Sequence, residues 1–112
     1  MNELNQKSAT ELADLIKSKK VSSKEVVEAH LKRIEEVNPE INAITVTLEE
    51  SATDLAEKAD NASHEERNRP FHGVPITIKE NIDFVGTPTT NGLPVLAESM
   101  PPKNTPLVDR ML

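Results

Sequence analysis

Cysteine, tryptophan and tyrosine are all absent from the chain. Without a thiol there is no disulfide, no cysteine nucleophile and no thiolate metal site. Phe71 and Phe84 are the only aromatic residues, so a core must be assembled from Leu, Ile, Val and Ala, a thin supply for an independent domain. No apolar run approaches the roughly 20 residues of a membrane-spanning helix. The opening Met1-Asn2-Glu3-Leu4-Asn5-Gln6-Lys7 has no apolar stretch of the signal-peptide kind. Positive charge is short as well: 13 Lys and Arg stand against 19 Asp and Glu, a net charge of -6. That balance argues against DNA, RNA and anionic membrane surfaces as partners. These absences predict a cytoplasmic protein, and 112 residues allow at most one domain.

What is present is helical at first. Ser8-Ala9-Thr10-Glu11 has capping-box spacing, in which a hydroxyl and a carboxylate satisfy each other's backbone N–H groups. Ala9, Leu12, Ala13, Leu15 and Ile16 follow as a short apolar stripe. Ser22-Ser23-Lys24-Glu25 repeats the signal and opens a longer helix, with Val26, Val27, His30, Leu31, Ile34 and Val37 at helical spacing. Asn38-Pro39 is expected to end it, because a residue before proline avoids the helical region.

The β-branched segment from Ile41 to Leu48 predicts a strand. A third helix is expected next, with Leu48, Ala52, Leu55, Ala56 and Ala59 on one face, then a polar surface loop from Asn61 to Pro70. Val74 to Lys79 predicts a second strand, so strand, helix and strand form the pattern of a parallel crossover. Two parallel strands alone leave both edges open, so further chain or a second copy would be needed to cover the sheet. Seven of the eight prolines lie from Pro70 onward, and Phe84 to Thr105 is a long stretch rich in Pro, Thr and Asn. Loops of that length are uncommon in compact domains unless they serve a site or are disordered. Pro106 to Leu112 has the composition of a helix's opening turns.

The block Arg69-Pro70-Phe71-His72-Gly73-Val74-Pro75-Ile76-Thr77-Ile78-Lys79-Glu80-Asn81-Ile82-Asp83, followed by Gly86-Thr87-Pro88-Thr89-Thr90-Asn91-Gly92, resembles the lysine region of amidase-signature enzymes. Ser22 to Val27, His30, Arg33, Ile34, Asn38-Pro39 and Ile41-Asn42-Ala43 are similar to that family's first helices and strand, and Pro106-Leu107-Val108 to the helix start after its loop. The resemblance implies an α/β fold: residues 1–112 would be the N-terminal part of a single α/β/α amidase domain, 1–62 mainly helical with one strand, 63–112 carrying the lysine strand, the loop and the start of a helix. It implies hydrolysis of a small-molecule carboxylic amide to an acid and ammonia or an amine. The implied mechanism uses a nucleophilic serine, a bridging serine in a cis peptide, and a lysine, with no metal or organic cofactor. By resemblance Lys79 is that lysine. In the family both serines and a glycine-rich loop lie beyond position 112, so this stretch alone is expected to be inactive. Asn91-Gly92-Leu93-Pro94 departs from the small residue, Gly and Ser usual there, and Glu80-Asn81 replaces a common Asp-Asn.

The chemistry fits a strand-end lysine. An exposed ammonium titrates near 10.4 and is a poor base at neutral pH, but burial disfavours the charged form. On a strand, Val74, Ile76 and Ile78 share one face and Thr77 and Lys79 the other. From spacing alone, Lys79 reads as a solvated lysine; the family block turns that reading around. Gly73, Gly86 and Gly92 read as turn devices, lacking phosphate-loop spacing. His30 reads as a packed histidine, His64 as exposed and His72 as a local hydrogen-bonding group. Ser22 and Ser23 read as caps, Ser99 as a loop residue, and Thr89-Thr90 as shaping the loop near the site. Two rivals stand beside the amidase. One is a non-catalytic short remnant or helical binding module; the other is a piece of the amidase subunit of a transamidating complex.

Overall fold

The computed structural model describes all residues, 1–112. It divides into two compact units, Met1–Ile76 and Thr77–Leu112.

The first unit is helical. A 3-10 turn at Glu3–Gln6 leads into α1 (Ala9–Lys17), α2 (Ser23–Ile41), α3 (Glu49–Asp60) and the single turn α4 (His64–Arg67). Both expected capping boxes form. The Glu11 N–H donates to Ser8 Oγ at 3.3 Å while the Ser8 N–H donates to Glu11 Oε2 at 2.7 Å. Ser22 and Glu25 make the same exchange at 3.0 and 2.8 Å. Helix α1 ends on Lys19 in the left-handed region, φ 57°. The N–H groups of Lys19 and Lys20 return to the carbonyls of Ile16 and Leu15, the two bonds of a Schellman stop. This turns the chain so that Leu12 and Ile16 of α1 meet Val26 of α2 as a buried cluster, flanked by Leu4, Val21 and Val74. Helix α2 also packs along α3 and against the first 3-10 turn, where the Asn5 side-chain amide donates to the Ala29 carbonyl at 3.1 Å.

Four expectations need correction. Helix α2 does not stop at Asn38-Pro39 but runs on to Ile41, with Asn42 in the left-handed region at φ 47° as its cap. Pro39 and Glu35 are both exposed, so water can reach the Glu35 carbonyl that the proline ring leaves without its N–H partner. The segment after it is not a strand in this structure. Asn38 occupies the backbone of Ile44 instead, donating to its carbonyl and accepting from its N–H, both at 2.9 Å. Asn61 to Pro70 is not all loop, because Ser63 and Glu66 make another capping box and wind α4.

Val74 to Lys79, the second expected strand, also carries no regular secondary structure. A ladder needs a partner strand to take its backbone N–H and C=O groups, and no residue of the chain makes a strand pairing with this segment. The regular secondary structure of residues 1–112 is helical throughout.

Two long-range contacts hold the first unit. The Asp60 carboxylate, at the end of α3, accepts the N–H groups of Ser23 and Lys24 at 2.7 and 3.0 Å. A carboxylate at a helix N-terminus satisfies orphan donors and opposes the positive end of the helix dipole. Ser23 is buried, and its hydroxyl donates to the Gly73 carbonyl at 2.6 Å. Gly73 has φ +74°, and a β-carbon there would lie 2.9 Å from Ser23 Oγ and 3.4 Å from Ile16 Cγ2. Only glycine meets both demands.

The second unit is mostly turns. It contains a 3-10 turn at Pro94–Leu96 and α5 (Pro106–Met111), which starts as expected. Thr105 caps α5 through its side chain, and Pro106 fills the first helical position.

Candidate active site around Lys79

Lys79 is exposed and opens a tight turn: its carbonyl accepts the Ile82 N–H at 3.0 Å. The residues that follow are tied to a distant part of the same loop. The Glu80 carboxylate accepts the Thr90 backbone N–H. Thr90, through its side chain and then its N–H, holds the Glu80 carboxyl below its ordinary value of 4.5, with the Asn91 N–H adding to this. Asp83 accepts the Thr89 hydroxyl at 2.7 Å on its carboxylate and the Thr105 N–H at 3.1 Å on its carbonyl.

The Thr90–Leu93 segment is itself a turn. The Leu93 N–H donates to the Thr90 carbonyl at 2.9 Å, and Asn91 and Gly92 between them both have positive φ, 51° and 73°. Positive φ at both central positions is the mark of a type I′ turn, for which Asn-Gly is the favoured pair. Thr89 adds a backbone bond to the Ser99 carbonyl at 2.9 Å. The Thr89-Thr90 pair thus shapes this loop, as expected. Its two acidic partners, Glu80 and Asp83, were not identified as anchors from the sequence; their spacing of three around a turn was the available signal.

The remaining candidates have structural partners. His72 is half-buried, with Nε2 2.8 Å from the Ala59 carbonyl. His30 is half-buried with Nδ1 2.7 Å from the Val26 carbonyl. His64 is exposed in α4. Ser22 is a cap, whereas Ser23 is not: its hydroxyl goes to Gly73. Ser99 is exposed and contributes its backbone carbonyl. No three His, Asp or Glu side chains converge as a metal ion would require. No helix is long and apolar enough to cross a membrane. A concavity in the first unit, lined by Met1, Asn2, Asn5, Ala29, Lys32, Arg33 and Glu36, contains none of the lysine block.

A basic side chain beside a loop pinned by carboxylates suits proton transfer, provided that a nucleophile and a dry surround are supplied. Residues 25–112 match the Amidase family, and the chain belongs to it. The chain is 42% identical to an indoleacetamide hydrolase of Bradyrhizobium diazoefficiens over 102 residues, 90% of this chain and 20% of that protein. It is 40% identical to an acylamidase of Rhodococcus erythropolis over 105 residues, 93% of this chain and 22% of the relative. A glutamyl-tRNA(Gln) amidotransferase subunit of Caldanaerobacter subterraneus is 36% identical over 102 residues, 91% of this chain and 21% of its own length. The chain therefore spans about a fifth of the curated relatives it matches.

Proposed function

We propose that these residues form the N-terminal part of a single amidase domain that hydrolyses a carboxylic amide to an acid and ammonia or an amine. The observation that carries this reading is the family match from residue 25 to 112, which includes the whole lysine block. In this reading Lys79 is the lysine of a Ser-cisSer-Lys triad. It takes the proton of the nucleophilic serine through the bridging serine, and both serines come from sequence outside residues 1–112. The serine attacks the amide carbonyl, the amine leaves with a proton, and water then releases the acid. Residues 1–112 alone lack a nucleophile for this and turn over no amide.

The same reading accounts for the missing strands. Val74 to Lys79 becomes a strand, and so does Ile41 to Leu48, once further chain of the domain supplies ladder partners. Ile41, Val46 and Ile76 are exposed apolar residues on these segments, at 63%, 48% and 43%, the surface such chain would cover. A cytoplasmic location belongs to the same proposal. A second reading rests on the similarity to the glutamyl-tRNA(Gln) amidotransferase: the domain would then release ammonia within a complex rather than act alone.

The test is ammonia release from simple carboxamides and from glutamine by the purified full-length protein, with and without partner proteins from its source. Turnover of a carboxamide by the protein alone supports the stand-alone amidase. Glutamine turnover only with partners supports the complex, and no amide turnover under either condition rejects both.

A further inference from the structure

We infer that Glu80 is a positioning residue for the proposed amidase reaction, fastening the Thr90 turn to the turn that Lys79 opens and so fixing where the lysine leaves the backbone. The inference rests on the assignment of Lys79 made above.

In the proposed domain the strand ends at Lys79, and one backbone bond, from the Ile82 N–H to the Lys79 carbonyl, closes the turn that follows. A lysine that must hand a proton along a chain of hydroxyls needs a fixed origin. Displacing a reacting group by about 1 Å can cost about 100-fold in rate. Glu80 is the next residue, and unlike exposed Lys79 it is half-buried. Its carboxylate reaches ten residues along the chain to a backbone N–H. The donor is a backbone N–H, so the acceptor at position 80 is the side chain on which this bond depends. Asp83 fastens the other end of the same turn to Thr89 and Thr105.

The choice of partner matters as much as the bond. The two ion pairs of the structure are Lys24–Glu57 and Arg33–Glu36, so the Glu80 carboxylate is not paired with its neighbour Lys79. A carboxylate held against the lysine amine would favour the ammonium and weaken the base. Here the carboxylate is turned onto the Thr90 N–H instead, where it orders the loop.

The test is steady-state kinetics of the full-length protein carrying Glu80→Ala, Glu80→Gln or Lys79→Ala, with thermal melting of each. Glu80→Ala should lower kcat by about 10- to 100-fold and leave KM within about threefold, because position is lost rather than substrate binding. Glu80→Gln keeps an acceptor oxygen without the charge and should restore most of the loss, to within about 3- to 10-fold of wild type. Should the alanine variant fail to fold, Glu80→Met, which keeps the length of the side chain but has no acceptor oxygen, decides: a kcat equal to wild type overturns the inference. So does a folded Glu80→Ala with full kcat, or a loss confined to KM. If Lys79→Ala keeps its activity, the assignment of Lys79 has failed instead, which is a separate result.

Discussion

Replacing Gly73 by alanine puts a methyl group where α1 and α2 already meet. The new β-carbon would stand 2.9 Å from Ser23 Oγ, 3.0 Å from Ser23 Cβ and 3.4 Å from Ile16 Cγ2. Ser23 and Ile16 are both 1% exposed, so neither can swing into solvent to make room. Holding an L-residue at φ +74° costs about 1–2 kcal/mol, and forcing a methyl into a filled site adds about 1–3 kcal/mol. Lower entropy of the unfolded chain returns about 0.4–1 kcal/mol. The net expectation for Gly73→Ala is a loss of about 2–4 kcal/mol, part of it through the displaced Ser23 hydrogen bond. Urea unfolding followed by circular dichroism measures it, and Ser23→Gly in the same cycle separates the two causes. With Ser23 trimmed, Gly73→Ala should cost only the φ penalty, about 1–2 kcal/mol. A Gly73→Ala variant within about 0.5 kcal/mol of wild type, the range of a neutral surface change, would refute the packing argument.

Asp60→Ala should destabilise by about 2 kcal/mol, since it strips the acceptor from two N–H groups at the start of α2. Glu57→Gln, which breaks only the exposed pair with Lys24, should leave the urea midpoint unchanged; equal effects of the two substitutions would contradict this ranking. A second expectation concerns acid. The Ser8, Ser22 and Ser63 backbone and hydroxyl groups hold Glu11, Glu25 and Glu66 below their ordinary value of 4.5. Folding therefore favours the ionised carboxylates: their contribution is present above pH 4.5 and is lost as pH falls through the lowered values. Urea midpoints taken from pH 7 down to pH 3 should show a shallower acid decline in Glu11→Gln/Glu25→Gln/Glu66→Gln, and identical slopes would dismiss the capping boxes as the cause.

The starts of α1 and α2 were legible because a capping box is a local pattern of four residues; Ser63-His64-Glu65-Glu66 has the same pattern, but its polar surroundings read as loop. Pro39 misled because the restriction on the preceding residue is a preference, and an exposed last turn can absorb a missing N–H. The β-branched run at 41–48 has strand composition, but composition cannot supply the partner a ladder needs, and Asn38 took the Ile44 backbone instead. The contacts that set the first unit, Ser23 with Gly73 and Asp60 with the start of α2, link residues 50 and 37 positions apart. Nothing in the local sequence marks them. At the candidate site, Lys79 was legible only through its surrounding block, and Glu80 was noticed as a substitution rather than as an anchor. The Thr90 N–H that it accepts lies ten residues away, beyond the reach of any local pattern.

The most direct test of the account is kcat/KM for carboxamide hydrolysis by the full-length protein with Lys79 replaced by methionine, which keeps the length and apolar stem of the side chain but has no titratable group. A proton acceptor lost from the nucleophile should lower kcat/KM by about 100-fold or more while the melting temperature stays near wild type. A folded Lys79→Met protein that hydrolyses the amide as fast as wild type would contradict it.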